Sequence, residues 1–316
     1  MPVHRHYGWL FGLTGHQESR IREDRFEIRL ISPQERSMLL SYAASSLYAD
    51  PQIWANLMDH FPYLYELTVE QENGFYSPGD GIAFMLSLLN PGEIRAPIQL
   101  STDDKGGGSG SIGMSLLDYY NRYVNSRYQT VSIESIEPTV TLAYRKLKRL
   151  AHSHPYEILG PVLADRFLAC KGSIIQGKID LPPENTVTRC ADVVMMLEYL
   201  FHEGATSEVL FRLGQSIAWI LGTDPESRLA IIDSIKKAYT LRSKHVHGSK
   251  ITQKDGNSVD AALEADLLLR RVLAARILTN TNDNSWVQMV KRARVGDLPE
   301  DFDPISWITN PENTER

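Results

Sequence analysis

The chain of 316 residues has only two cysteines, Cys170 and Cys190, and they do not form a CxxC pair. A disulfide-stapled scaffold and a thiolate zinc site are thereby excluded, and a reducing compartment is expected. No apolar run reaches the roughly 18 residues that a membrane-spanning helix requires. The first residues hold no signal-like apolar core, so a cytoplasmic protein without a membrane partner is expected. Nor is there an excess of positive charge. The 33 Lys and Arg against 39 Asp and Glu leave a net charge of -6, which argues against a surface that coats nucleic acid indiscriminately but allows a local basic patch.

Several catalytic signatures are missing too. There is no HExxH, no carboxylate cluster at ligand spacing and no GxSxG elbow, so neither a metal, a cofactor nor a serine nucleophile is expected. The HxH pairs His152-Ser-His154 and His245-Val-His247 are read as structural or exposed histidines before they are read as ligands. The run Gly106-Gly-Gly-Ser-Gly110 lacks both the Lys-Ser/Thr and the GxGxxG frame of a phosphate cradle. It is read as a flexible loop or linker over 101–113, native or engineered.

What is present divides into two textures. Residues 1–100 mix strand and helix signals. Phe26–Leu30 alternates apolar and polar, and Tyr63–Val69 and Ile94–Leu100 also read as strands. Ser32-Pro33-Gln-Glu35 has the form of a capping box and predicts a helix over Pro33–Tyr48. Turns are expected at Gly74–Gly81 and Asn90–Gly92. From 114 to 295 helix-period stripes dominate. Helices are predicted at 114–125, 139–152 and 155–170, with a short strand at 128–133 between the first two. Four more follow at 185–202, 207–221 (capped by Ser207 and stopped by Gly222), 226–247 and 258–279. Short connections between striped helices favour an antiparallel bundle. Residues 296–316 form a tail rich in Pro and Asp. The chain is therefore expected to be α+β, a mixed N-terminal domain followed by a mainly α-helical one.

One stretch breaks its own pattern. The helix ending in Tyr239-Thr-Leu-Arg242-Ser-Lys-His-Val-His247-Gly248 has an expected apolar stripe at Ile232, Ile235, Tyr239 and Val246, and Arg242 falls inside it. A guanidinium on a core-facing line needs a partner, and Glu198, beside the stripe of its own helix, is a candidate. The plain alternative is a basic helix end whose arginine and histidines satisfy the last carbonyls.

The strings Leu-Glu198-Tyr-Leu, Phe211-Arg-Leu-Gly-Gln-Ser-Ile-Ala-Trp-Ile-Leu-Gly222 and Ala238–Gly248, with Leu268-Leu-Arg270-Arg271-Val-Leu273 and Ile28–Glu35, resemble the Apea-like branch of the HEPN superfamily. The resemblance is firm over about 185–279 and thin before it, and Tyr-x-x-Arg-Ser-Lys-x-x-His-Gly is its most specific part. It implies a helical bundle that dimerises and cuts RNA without a metal, to 2′,3′-cyclic phosphate and 5′-hydroxyl ends, in antiviral defence or as a toxin. It assigns Arg242 and His247 as the catalytic pair of the R-x4-6-H motif, lining a cleft between two protomers. Lys244, His245 and Lys250 would add positive charge for RNA, and Glu198 would orient Arg242. The N-terminal domain would then sense a trigger, such as a phage-derived or other protein. Because some relatives only bind RNA, a non-catalytic RNA-binding or scaffold role stays open.

Residues five apart on a straight helix differ by about 140° in direction. A site that uses both Arg242 and His247 therefore needs either a distorted helix end or a second copy of the chain.

Overall fold

A computed structural model of the chain describes residues 3–16, 19–47, 51–70, 79–89, 94–103, 108–112, 131–134, 136, 140, 144, 159, 183–201, 208–249, 258–278 and 283–298. The expected helices at 114–125, 139–152 and 155–170 lie outside the described residues, apart from single positions. The fold is α+β and separates into two units, Met1–Ile158 and Leu159–Arg316.

The first unit is built on a strand that its sequence disguises. Strand β1, Val3–Phe11, carries His4, His6 and Gly8 among its apolar residues, which hides its alternation. It nevertheless lies inside a six-stranded sheet of order β3-β4-β5-β1-β6-β7, where β3 is Ile21–Glu23, β4 Phe26–Leu30, β5 Tyr63–Glu70, β6 Arg95–Asp103 and β7 Gly108–Ile112. All the pairings in this sheet are antiparallel. Gly8 is opposite Tyr65 on one side and Gln99 on the other. A Cβ at Gly8 would stand 2.7 Å from the Tyr65 ring, so only glycine lets that ring pass over β1. The Tyr65 hydroxyl then donates to Gln99 Oε1 at 3.2 Å, tying three strands together.

Helices α1 (Pro33–Leu47) and α2 (Pro51–His60) bury Leu39, Trp54 and Leu57, with Phe61 just after α2, against Trp9, Phe11 and Ile98 of the sheet. Trp9 Nε1 donates to the Phe61 carbonyl at 2.7 Å, which satisfies the one polar atom of a fully buried indole. The capping box at the start of α1 is formed. Glu35 N–H donates to Ser32 Oγ at 3.3 Å, and Ser32 N–H returns a bond to Glu35 Oε2 at 2.9 Å. The Glu35 carboxylate also takes Arg29 Nη2 at 2.6 Å, and Arg29 reaches Glu66 at 2.8 Å, so the cap locks α1 to β4 and β5.

Two expectations need correction here, and a third is met in part. The Gly-rich segment at 101–113 is not all linker: Gly108–Ile112 pairs with β6, from Thr102↔Gly108 to Ile98↔Ile112. Glycine and serine lower strand propensity, but the partner's backbone supplies the ladder and an edge position asks little of side chains. The first unit therefore extends well past residue 100. The turn expected at Gly74–Gly81 gives way by Gly79 to helix α3, Gly79–Leu89. The short strand expected at 128–133 is β8, Val131–Ser132, and it pairs in parallel with β2, Leu13–Thr14, in a separate two-stranded sheet. Beside it the Glu134 carboxylate gathers the His16 N–H at 2.7 Å and the hydroxyls of Ser19 and Ser132.

The second unit is helical in its described residues: α4 (Pro183–Leu200), α5 (Val209–Leu221), α6 (Pro225–Val246), α7 (Ser258–Leu278) and α8 (Asp283–Arg294). Helix α4 buries Cys190, Val194 and Leu197, a spacing of four and three that defines one face. The Cys190 thiol donates to the Ala238 carbonyl of α6 at 3.6 Å, so this cysteine is a core contact between helices. Helix α5 begins at Glu208, whose φ of 59° and lack of a side-chain cap replace the expected Ser207 cap. It ends where expected, at Gly222. Helix α6 starts with an Asp224–Ser227 capping box and Pro225 in its first turn. Helix α7 is buried on nearly every side and pairs Asp266 with Arg270 one turn on, each about 95% buried. Helix α8 has no counterpart among the expected elements. It plants Trp286 under α4, its Nε1 donating to the Leu200 carbonyl at 2.7 Å. No helix among the described residues is long and apolar enough to cross a membrane.

Candidate functional site

Helix α6 packs against α4, α5 and α7. Its buried line is Ile231, Ile235, Ala238 and Leu241, not the expected Ile232–Ile235–Tyr239–Val246. Only Ile235 belongs to both. The expected line was drawn through Val246, which is 55% exposed, and that tilted the whole stripe by about one position. Arg242 is therefore the residue next to the core line, at the margin between interior and surface.

From that margin Arg242 faces α4. Its Nη2 donates to Glu198 Oε2 at 3.3 Å, with the two side chains 24% and 22% exposed. Arginine has five N–H donors, and this single long bond uses one of them. Arg242 Nε is shut from solvent and meets no acceptor. The guanidinium carbon stands 5.6 Å from the centre of the Tyr239 ring, one turn back on the same helix. Two large apolar residues near this pair in sequence are exposed: Tyr199, next to Glu198, and Val246, one turn beyond Arg242, each 55% exposed.

His247 closes the helix. It is the C-cap, at φ -90° and ψ 6°, and is exposed. Gly248 follows at φ +63°, a left-handed conformation that costs a residue with a Cβ about 1–2 kcal/mol. Its N–H donates to the His245 carbonyl at 3.2 Å, and the Ser249 N–H donates to the Lys244 carbonyl at 2.9 Å. These two bonds form a Schellman motif. Backbone donors thus satisfy the carbonyls that the plain reading gave to arginine and histidine side chains. His245 and His247 are exposed, while Lys244 is half-buried. Lys250 lies outside the described residues.

The helix is regular to Val246, so no distortion turns Arg242 and His247 toward one another. Among the described residues no hydrogen bond, ion pair or ring contact joins them. The structure brings Arg242 together with Glu198 and Tyr239 and leaves His247 on another face. In the sequence Tyr239 belongs to the motif string and to the expected apolar stripe, and its spacing of three from Arg242 is the signal for their contact. Among the described residues no three His, Cys, Asp or Glu side chains gather as they would around a metal ion.

Comparison of the chain with protein-family models, with curated proteins and with solved structures finds no match.

Proposed function

We propose that the chain is a metal-independent endoribonuclease of HEPN type, acting as a homodimer. The observation that carries this reading is the state of Arg242. A part-buried guanidinium makes one long hydrogen bond to a carboxylate, five residues before an exposed histidine at a self-capped helix end.

The chemistry suits those groups. RNA brings its own nucleophile, the 2′-hydroxyl. An imidazole accepts the 2′-hydroxyl proton as the oxygen attacks phosphorus, and a protonated imidazole returns a proton to the leaving 5′-oxygen. The bond formed is 2′-O–P and the bond broken is P–O5′, which leaves a 2′,3′-cyclic phosphate and a 5′-hydroxyl. A guanidinium holds two phosphate oxygens and stabilises the charge that builds on phosphorus. The straight course of α6 favours a cleft in which Arg242 of one copy works with His247 of the other. The exposed Tyr199 and Val246 offer apolar surface for that contact. Lys244, His245 and Lys250 supply positive charge for the backbone, and the N-terminal unit restrains the nuclease until a trigger binds.

The second reading, a non-catalytic RNA-binding or scaffold protein, is favoured by the same Glu198 contact, because an arginine with a carboxylate partner already has a structural use. One assay separates the two. Full-length protein is incubated with mixed RNA in EDTA as wild type, Arg242→Ala and His247→Ala, and expression of each is scored for growth inhibition in cells. Cleavage and toxicity lost in both variants support the nuclease. Cleavage that survives both substitutions removes the site assignment. RNA binding without cleavage or toxicity in any form favours the scaffold, and a requirement for added Mg²⁺ removes the mechanism.

A further inference from the structure

The geometry points to Tyr239 as a positioning residue that sets the plane of the Arg242 guanidinium, a role that rests on the reading of Arg242 and His247 as the RNA-cleaving pair. Tyr239 and Arg242 are three residues apart on α6 and so project from neighbouring positions on one side of the helix. The guanidinium carbon is 5.6 Å from the ring centre, inside the distance of about 6 Å at which a cation is drawn to an aromatic face. The carboxylate on α4 does not fix the group by itself. A bidentate pair would set the guanidinium plane through two parallel bonds, whereas here Glu198 makes one, at 3.3 Å. One bond of that length fixes a point and leaves the plane free to turn about it. The ring supplies the second restraint, and among the described residues the buried Nε meets no acceptor that would supply another.

An arginine that must offer two donors to a phosphate depends on that plane, because orientation errors weaken the transition-state contact more than they weaken binding. The aromatic face is what matters, and the phenol hydroxyl is not needed. Phenylalanine should therefore preserve the effect, while leucine, of similar bulk and good helix propensity, should lose it.

The test compares full-length wild type, Tyr239→Phe, Tyr239→Leu, Arg242→Ala and His247→Ala on one RNA in EDTA, with kcat and KM resolved and thermal unfolding recorded for each. The expected result for Tyr239→Leu is a fall in kcat/KM of about tenfold, carried by kcat, with unfolding close to wild type; phenylalanine restores the rate to within about twofold. If leucine matches wild type while Arg242→Ala and His247→Ala are inactive, the positioning role is wrong and the nuclease reading stands. A phenylalanine variant as slow as leucine also overturns it, because the hydroxyl would then be the active part. A loss seen only in KM, or only alongside a lower unfolding temperature, assigns Tyr239 to packing. If Arg242→Ala and His247→Ala cleave like wild type, or if wild type neither cleaves in the assay nor inhibits growth when expressed in cells, the nuclease reading fails and this role goes with it.

Discussion

Two glycines of the helical unit should respond to alanine with opposite signs. Gly248 has φ +63° and nothing within 4 Å of where a Cβ would sit, so the substitution meets no clash. Its cost is purely conformational, about 1–2 kcal/mol for holding a residue with a Cβ in the left-handed region. Reduced freedom of the unfolded chain offsets part of that cost but does not outweigh it where φ is positive. Gly214 sits inside α5, where a Cβ would lie 3.8 Å from Ile232 Cγ1, an ordinary contact. Alanine there should gain about 0.5–1 kcal/mol from helix propensity alone. The two variants should thus differ by roughly 2 kcal/mol, and with urea slopes of about 1–3 kcal/mol/M their midpoints should separate by about 1 M. Urea unfolding of the full chain measures this, and hydrogen exchange of peptides covering α5 and α6 assigns the change to this unit. Gly248→Asn provides the control, since asparagine tolerates the left-handed region. The reasoning is refuted if Gly248→Ala is as stable as wild type or if asparagine costs as much as alanine.

Acid should weaken the first unit at two identified carboxylates. Burial pushes the Glu35 carboxyl up, but hydrogen bonds from Arg29 and Ser32 outweigh it and hold the group at about 2 instead of 4.5; Glu134 is brought to about 2 in the same way by the His16 N–H and the Ser132 and Ser19 hydroxyls. A depressed carboxylate stabilises the fold fully above its unfolded value and loses that contribution as pH falls toward its folded one. The Glu35 side chain is 19% exposed, so Glu35→Gln should cost up to about 3 kcal/mol at pH 7 and less than half of that at pH 3. A urea-midpoint difference from wild type that does not shrink at pH 3 would contradict this. A shared cleft makes a separate prediction: mixing the inactive Arg242→Ala and His247→Ala chains should restore cleavage. Half of the dimers would be mixed and one of their two sites intact, giving about a quarter of the wild-type rate; no recovery after subunit exchange would place both residues in one chain's own site.

Much of the fold was legible where local chemistry repeats a known pattern. The Ser32–Glu35 box, the strands Phe26–Leu30 and Tyr63–Glu70, the stop at Gly222 and the buried face of α4 all follow from spacing and caps. What escaped did so for physical reasons. Strand β1 takes its place from two neighbours far away in sequence, and its histidines and glycine blur the alternation that pairing makes irrelevant. Strand β7 has almost no intrinsic strand preference and is held by β6. Helix α8 did carry a signal, since Trp286, Met289, Val290 and Ala293 follow helix spacing and all are buried. The Pro- and Asp-rich residues that come after it obscured that signal.

At the candidate site the sequence named the residues but misjudged their directions. Drawing the stripe of α6 through Val246 put Arg242 in the core, where an unpaired charge would be intolerable. The true line, one position over at Leu241, leaves Arg242 on the margin. That difference changes the argument for function. A buried arginine must be fully paired and has nothing left to offer a ligand. A marginal one can lean on a carboxylate and a ring while staying partly exposed, and Arg242 is in that state. The helix end supports the same view. Because Gly248 and Ser249 cap the carbonyls of His245 and Lys244 with backbone donors, the exposed His247 is spared that duty. The regular helix that makes this cap possible also keeps His247 turned away from Arg242, which is why the proposed site draws on a second copy of the chain.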